Sequence, residues 1–309
     1  MTSIPKKILI IGYSSFVQRR VIQSLKKIKN IKIFISSKSH KIDNNKKIFF
    51  NDYEQALKTK KFDYVYISLI NNLHFHYAKM ALNLGYNVIV DKPITTSFSE
   101  TNQLLKIARE KKLLLCELII FNQHAVFNKI SNIIGGNKKI EAIHANFNVP
   151  VVGSLKHISN IHGDCKYNMG PYAASIIRIF FNGKFKENLV IKNHFNKPFN
   201  KTNKEFSVLI KDKSKIFFGN FGIGKEYLSN LIFFGNQKII KIPFQAFALP
   251  CNKNINLIIK NKNRKYTVKL KDDYIKRVFE DIINSKYNLT HYYNKIDMDN
   301  RIKKKLKLI

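Results

Sequence analysis

The chain has no cysteine framework: Cys116, Cys165 and Cys251 are odd in number and widely scattered over 309 residues. That usage excludes an extracellular disulfide scaffold and fits a reducing compartment. No apolar run approaches the roughly 18 to 20 residues that a membrane span requires. The N-terminus, Met1-Thr-Ser-Ile-Pro-Lys-Lys, leads into a short strand-like run, not the apolar core of a secretion signal, so the expected location is cytoplasmic. Acidic residues are scarce, 20 against 55 lysines and arginines, and the formal net charge is +35. Such an excess is what a nucleic-acid binder shows. The arrangement of a binder is missing, however. There is no arginine-rich stripe and no break in charge between segments, and lysine is interleaved with Asn and Ile throughout 22–47 and 252–269. We read that texture as an A- and T-rich coding bias placed on solvated faces, with no specific nucleic-acid partner and no membrane partner. A basic protein still attracts anionic small molecules. Internal repeats are absent. His162 lies near Cys165, but no second ligand pair accompanies them, and no metal is expected.

At about 150 residues per domain the length implies two domains, placed at 1–118 and 119–309. From 7 to 117, short apolar runs alternate with segments of helical period, the signature of βαβ units. Strands are predicted at 8–11, 31–35, 64–67, 88–90 and 113–116. A helix over 16–28 puts Val17, Val21, Leu25 and Ile28 on one face. A second over 73–84 does so with Leu73, Tyr77, Ala81 and Leu84, before Gly85 stops it. A third opens at Ser97, with Glu100 completing a capping box, and runs to about residue 112. The fold class is therefore α/β joined to α+β. A Rossmann-type doubly wound parallel sheet comes first, with ligands expected at the carboxyl ends of its strands. Beyond it, a helix around 126–134, a strand at 140–149 and a helix at 171–181 precede mostly strands, at 189–191, 206–210, 216–221, 231–234, 239–242, 255–259 and 266–270. A helix at 272–284 follows. Strands without crossover helices predict a C-terminal open, mostly antiparallel sheet with helices on one face. An open sheet predicts a homodimer or homotetramer that buries its outer face. The lysine-rich tail at 301–307 reads as a frayed or solvated helix end.

Chemistry is expected at the strand ends. The first βα turn is Ile11-Gly12-Tyr13-Ser14-Ser15-Phe16, in which small residues let backbone N–H groups approach a pyrophosphate at a helix start. Only the first glycine of the usual glycine-rich fingerprint is kept. The second strand ends in Ser36-Ser37-Lys38 without the acid that would bind the ribose 2′-hydroxyl of NAD. A hydroxyl and a cation at Ser37 and Lys38 suit the 2′-phosphate of NADP, with NAD as the alternative. Asn71 and His74 begin the helix after the third predicted strand and are expected to face the cofactor crevice. Val90-Asp91-Lys92-Pro93 ends the next strand and projects an amine where a substrate carbonyl would lie. A residue before proline is held extended. Lys156, His162 and Lys166 lie around residues 163–172, and the resemblance given below makes them candidates to meet a sugar or a diphosphate.

The series Gly12-x-Ser14, Ser37-Lys38, Asn71-x-x-His74, Asp91-Lys92-Pro93 and Gly163-Asp-Cys-Lys-Tyr-Asn168-Met-Gly170-Pro171-Tyr172 resembles the glucose-fructose oxidoreductase and inositol dehydrogenase family, Gfo/Idh/MocA. The resemblance runs over most of the chain and is loosest beyond residue 182. Family members typically carry Glu-Lys-Pro where this chain has Asp91, and often an aspartate and a histidine where it has Asn168 and Tyr172. The subset with tyrosine at the last place is similar to glucose-fructose oxidoreductase and to reductases of nucleotide-linked 3-keto sugars. The resemblance implies an NADP(H)-dependent oxidoreductase that reduces a keto group of a sugar, with a nucleotide-linked sugar as the expected form. It places Lys92 and Tyr172 as catalytic residues, with Tyr172 the proton donor. It places Gly12, Ser14, Ser15, Phe16, Ser37, Lys38, Asn71, His74, Asp91 and Lys92 at the cofactor, and Lys92, His162, Asn168 and Tyr172 at the substrate. Tyr172 follows Pro171, a favoured first helical residue, so the positive helix end and Lys92 are both expected to favour its phenolate. The alternatives are an NAD-dependent dehydrogenase of a free sugar or polyol such as inositol, and a degenerate cofactor-binding or nucleic-acid-binding protein.

Overall fold

In a computed structural model of the protein, the residues described are 4–38, 49–59, 62–150, 164–194, 203–284 and 288–309. The strands are β1 (Lys6–Ile11), β2 (Ile31–Ser36), β3 (Phe49–Phe50), β4 (Tyr64–Ile67), β5 (Asn87–Asp91), β6 (Leu115–Leu118), β7 (Ala142–Val149), β8 (Glu187–His194), β9 (Asn203–Asp212), β10 (Lys215–Ile223), β11 (Leu228–Gly235), β12 (Lys238–Ile242), β13 (Asn254–Lys260) and β14 (Lys265–Lys271). The helices are α1 (Ile22–Leu25, entered through a π-helical turn at Val17–Val21), α2 (Tyr53–Lys58), α3 (Asn71–Asn83), α4 (Phe98–Glu110), α5 (Val126–Ile134), α6 (Cys165–Phe181), α7 (Tyr274–Ile283) and α8 (Leu289–Lys305). Among the described residues, no helix is long and apolar enough to cross a membrane.

Two compact units result: Met1–Leu118 with Ile275–Asp297, and Ile119–Tyr274 with Met298–Ile309. In the first, six parallel strands lie in the order β3-β2-β1-β4-β5-β6. Their runs are almost continuously apolar, as strands covered on both faces must be. Leu9, Ile11, Val65, Ile67, Val88 and Val90 share one core with α2, α3 and α4. The opposite face carries Tyr64 and Tyr66. The Tyr64 hydroxyl donates to the carbonyls of Ile282 and Ile283 at 3.4 Å each, and the Tyr66 ring meets Phe279 edge-on at 5.8 Å. That face needs a cover, and residues 275–297 return to the first unit to supply it. Reading 119–309 as one domain misses this return.

Local differences have local causes. β6 begins two residues later than the apolar run at 113–116 predicts, because Leu113 N–H closes the end of α4 on the Ala108 carbonyl at 2.9 Å and Leu114 N–H goes to the Asn87 side chain. The short edge strand β3 is not visible in the sequence pattern.

The second unit holds an eight-stranded sheet in the order β14-β13-β12-β11-β7-β10-β9-β8, antiparallel except where β7 pairs β10. The strands predicted from 189 onward lie within observed ones, and the one predicted at 140–149 begins two residues later, at Ala142. Phe147, Phe217, Phe221, Leu231 and Phe233 fill the inner face, where Phe180 of α6 meets Phe233 at 5.1 Å. On the other face Leu189, Leu209 and Phe218 lie side by side across β8, β9 and β10, and are 56%, 43% and 41% exposed. The tail is not frayed. Ile302, Leu306 and Leu308 are buried, and Arg178 of α6 donates to Asp299 at 2.8 Å. Ile302 and Leu306 lie one turn apart on a helix face that the surrounding lysines obscure in the sequence.

Candidate cofactor and catalytic site

The first unit's sheet reverses its winding between β1 and β4, the switch point at which open α/β sheets bind ligands. Gly12 sits there. Its N–H donates to the Ser36 carbonyl at 2.9 Å, and Ser68 N–H donates to the Ile11 carbonyl at 2.9 Å, so the tip of β1 is tied to both neighbours. Gly12 has φ +100°, and a Cβ at this position would lie 2.1 Å from the Ser68 carbonyl oxygen. Only glycine fits there, because any side chain would collide with the Ser68 carbonyl. Beyond it, Ser14 Oγ accepts from Val17 N–H at 3.2 Å, capping the helical turn, while Ser14 and Ser15 remain exposed and Phe16 half-buried. A bare backbone with exposed hydroxyls at a helix start fits the pyrophosphate of a dinucleotide.

At the end of β2, Ser37 is 1% exposed and its N–H donates to the Phe50 carbonyl. Lys38 is exposed, with its ammonium 5.1 Å from the centre of the Tyr53 ring. Of the two residues expected at the ribose, Lys38 alone faces outward.

The tips of β4 and β5 carry the densest polar network. Asp91 Oδ1 accepts from the Tyr66 hydroxyl and Oδ2 from the Ser68 hydroxyl, both at 2.6 Å. Burial pushes the Asp91 carboxyl above its usual range, and the two hydroxyls oppose that rise by stabilising the anion. Burial also pushes the Tyr66 phenol well above 10.0, so it stays a neutral donor. His74, 1% exposed, lies with Nδ1 2.7 Å from the Pro93 carbonyl and Nε2 3.0 Å from the Leu69 carbonyl. Burial lowers its pKa below 6.5, so the ring is neutral and carries one N–H, which the shorter contact assigns to Pro93. His74 thus holds the Pro93 carbonyl and, being buried, does not open onto the crevice. Asn71 is the first residue of α3, and half-buried Lys92 stands between Asp91 and Pro93 at the end of β5, its peptide bond to Pro93 being cis. Sequence reasoning missed Tyr66 and Ser68. Their spacing of two, on the strand beside Asp91, is the signal that places all three on one face.

In the second unit, α6 begins at Cys165, not at Pro171. Asp164 caps it by accepting from Lys166 N–H at 2.9 Å, and Asn168 Nδ2 donates to the Asp164 carbonyl at 3.2 Å. Pro171 is therefore an interior residue, and Tyr172 lies in the third turn. The expected help from the helix end is withdrawn, because that field fades within the first turn. Tyr172 sits instead among three phenylalanine rings: Phe121 at 5.2 Å, Phe147 at 5.2 Å and Phe247 at 5.5 Å. Lys166 places its ammonium 4.6 Å from the centre of the Tyr167 ring. Lys156 and His162 lie outside the described residues. Among the described residues, no three His, Cys, Asp or Glu side chains are grouped to hold a metal ion.

Within the first unit the structure brings Gly12, Ser68 and Asp91 into one connected set with Lys92 at its end; Tyr172 and Asn168 belong to the second unit. A parallel sheet wound both ways from a switch point, with a glycine in its first βα turn, is a Rossmann-type arrangement. Residues 6–118 match the sequence model of the Gfo/Idh/MocA oxidoreductase family, described by its NAD-binding Rossmann fold. It is similar to the dTDP-3,4-didehydro-2,6-dideoxy-alpha-D-glucose 3-reductase of Streptomyces violaceoruber, 25% identical over 146 residues, which is 46% of this chain and 43% of that protein. It is also similar to a D-xylose 1-dehydrogenase (NADP(+)) of Haloferax volcanii, 24% identical over 135 residues, 42% of each chain. The sequence matches thus span less than half the length of these relatives. Solved structures share the fold nearly end to end. A 3-ketoreductase from Actinomadura kijaniata in complex with NADP and TDP-benzene superposes with a TM-score of 0.86 at 19% identity, over 98% of this chain and 97% of that one. A UDP-N-acetylglucosamine 3-dehydrogenase from Acidithiobacillus ferrooxidans gives a TM-score of 0.74 at 14% identity, over 99% and 96%.

Proposed function

We propose that the protein is an NADP(H)-dependent reductase of a keto group on a nucleotide-linked sugar. The observation that carries this reading is the connected set at the switch point: Gly12 pressed on the Ser68 carbonyl, Ser68 on Asp91, and Lys92 at the tip of the same strand. The relatives that act on nucleotide-linked keto sugars, and the neighbour holding NADP, support the substrate and cofactor class.

When bound, the nicotinamide supplies the hydride. Gly12, Ser14, Ser15 and Phe16 receive the pyrophosphate, Asn71 lines the crevice, and Lys38 at the end of β2 meets the 2′-phosphate that distinguishes NADP from NAD. Tyr172 donates the proton to the carbonyl oxygen, and the Lys92 ammonium stabilises the negative charge developing there. The box of Phe121, Phe147 and Phe247 holds the Tyr172 ring in place and lowers the entropy lost on reaching the reactive arrangement. His162 and Asn168 complete the sugar side. The protein works in the cytoplasm, with its three cysteines as free thiols, and as a homodimer or homotetramer joined through the face that exposes Leu189, Leu209 and Phe218.

The test combines fluorescence titration with NADPH and NADH and a screen of nucleotide-linked keto sugars for cofactor oxidation. Tyr172→Phe is expected to lose roughly 100- to 10,000-fold in kcat, the range of a general acid, while NADPH binds as in the wild type. Full activity of that variant would sink the assignment.

A further inference from the structure

Lys92 is flanked by two anchors that reach the same stretch of chain. On its N-terminal side, Asp91 is held by Tyr66 and Ser68 at the end of β4. On its C-terminal side, the Pro93 carbonyl is held by His74, whose other nitrogen faces the Leu69 carbonyl. Residues 66–74 therefore grip both neighbours of the lysine.

Of these groups, Tyr66 is the hardest to explain by packing. Its side chain is wholly buried, with its ring edge-on to Phe279, a place that phenylalanine would fill equally well. A carboxylate partly withdrawn from water beside it is costly unless hydroxyls serve its oxygens, and an apolar pair at these two positions would stabilise the sheet at least as well. The fold nevertheless keeps a tyrosine and an aspartate on adjacent strands, joined by a short charge-assisted bond, one residue before the lysine.

We propose that Tyr66 is a positioning residue for Lys92: its hydroxyl holds the Asp91 carboxylate from the neighbouring strand and so sets the turn that presents the lysine. The proposal rests on the catalytic place given to Lys92 above. The groups facing Asp91 are Tyr66 and Ser68 from the end of β4, His74 from α3, and Lys92 itself. With the Tyr66 hydroxyl removed, one carboxylate oxygen loses its donor, the turn loosens, and the carboxylate takes up a proton at higher pH.

The experiment compares Tyr66→Phe with the wild-type protein in three measurements: steady-state kinetics, the pH profile of kcat, and amide hydrogen exchange of the peptides covering residues 88–96. A displaced catalytic group lowers the rate by about 10- to 100-fold, and this loss in kcat is expected with KM and the NADPH Kd unchanged within about twofold. The acid limb of the profile is expected to move to higher pH, and exchange in 88–96 to accelerate. Wild-type kcat, an unmoved limb and unaltered exchange would overturn the proposal. If Tyr66→Phe does not fold, Ser68→Ala removes the other donor at a strand end, and the same three readouts decide with a smaller loss expected. If the wild-type protein binds NADPH but turns over no keto sugar, the functional reading fails separately. Exchange then judges the anchor alone: faster exchange in the variant supports it, and unchanged exchange overturns it.

Discussion

The two sheets solve burial in opposite ways. In the first unit every residue of β4 is buried, because helices cover both faces of the parallel sheet. In the second, β10 alternates between a filled inner face and an outer face that leaves Phe218 41% exposed. Side chains in the first sheet therefore have no solvent to turn to except at the carboxyl edge, and there hydrogen bonds join Ser68 and Tyr66 to Asp91, and His74 to Pro93. The second sheet exposes a face, and its candidate residue Tyr172 sits on a helix among aromatic rings. Backbone approach and hydrogen bonds govern the first site, whereas ring packing governs the second.

The largest expected effect tests that contrast directly. A side chain at Gly12 meets backbone, the Ser68 carbonyl, at 2.1 Å with φ already at +100°, whereas at Gly219 it meets the rings of Phe221 and Phe217 at 2.6 and 2.8 Å. Gly12→Val is expected to cost at least about 3 kcal/mol and to abolish NADPH binding. Gly219→Ala is expected to cost about 1–3 kcal/mol, as overpacked cores do, with NADPH binding intact. Urea unfolding and fluorescence titration measure both. NADPH binding by Gly12→Val at wild-type strength would show that the switch point does not need bare backbone.

A smaller effect is expected on the outer face. Phe218→Lys changes an exposed side chain, so stability should move by less than about 0.5 kcal/mol, while light scattering should report a shift from dimer or tetramer to monomer. An unchanged mass in the variant would remove this face as the interface. The smallest effect concerns thiols. Burial raises Cys116 to about 11, so the stability it contributes is intact below its ordinary value of 9.0 and is lost as the pH rises through about 11. With Cys116 and Cys165 buried and Cys251 partly exposed, a thiol reagent at pH 8 should modify Cys251 alone in the native protein and all three after unfolding.

Periodicity and strand-end signals were enough to read the parallel sheet, most strands of the second unit, and the place of Gly12 and Asp91-Lys92-Pro93 at strand ends. They failed where a residue's role depends on partners distant in sequence. Ile302 and Leu306 look solvated among lysines until α6 is placed beside them. Pro171 reads as a helix start until Asp164 is seen capping the helix earlier. Tyr66 looks like a strand residue until β5 is set next to β4.

By itself the sequence determined most of the strands, the glycine in the first turn and the strand tip that carries a lysine, because alternation, φ preference and the restriction before proline are local properties of the chain. The tertiary structure alone decided that residues 275–297 complete the first unit, that Tyr172 lies inside a helix in a box of phenylalanines, and that Asp91 is anchored by Tyr66 and Ser68. Those outcomes depend on burial and hydrogen-bond partners brought together across long separations in the chain.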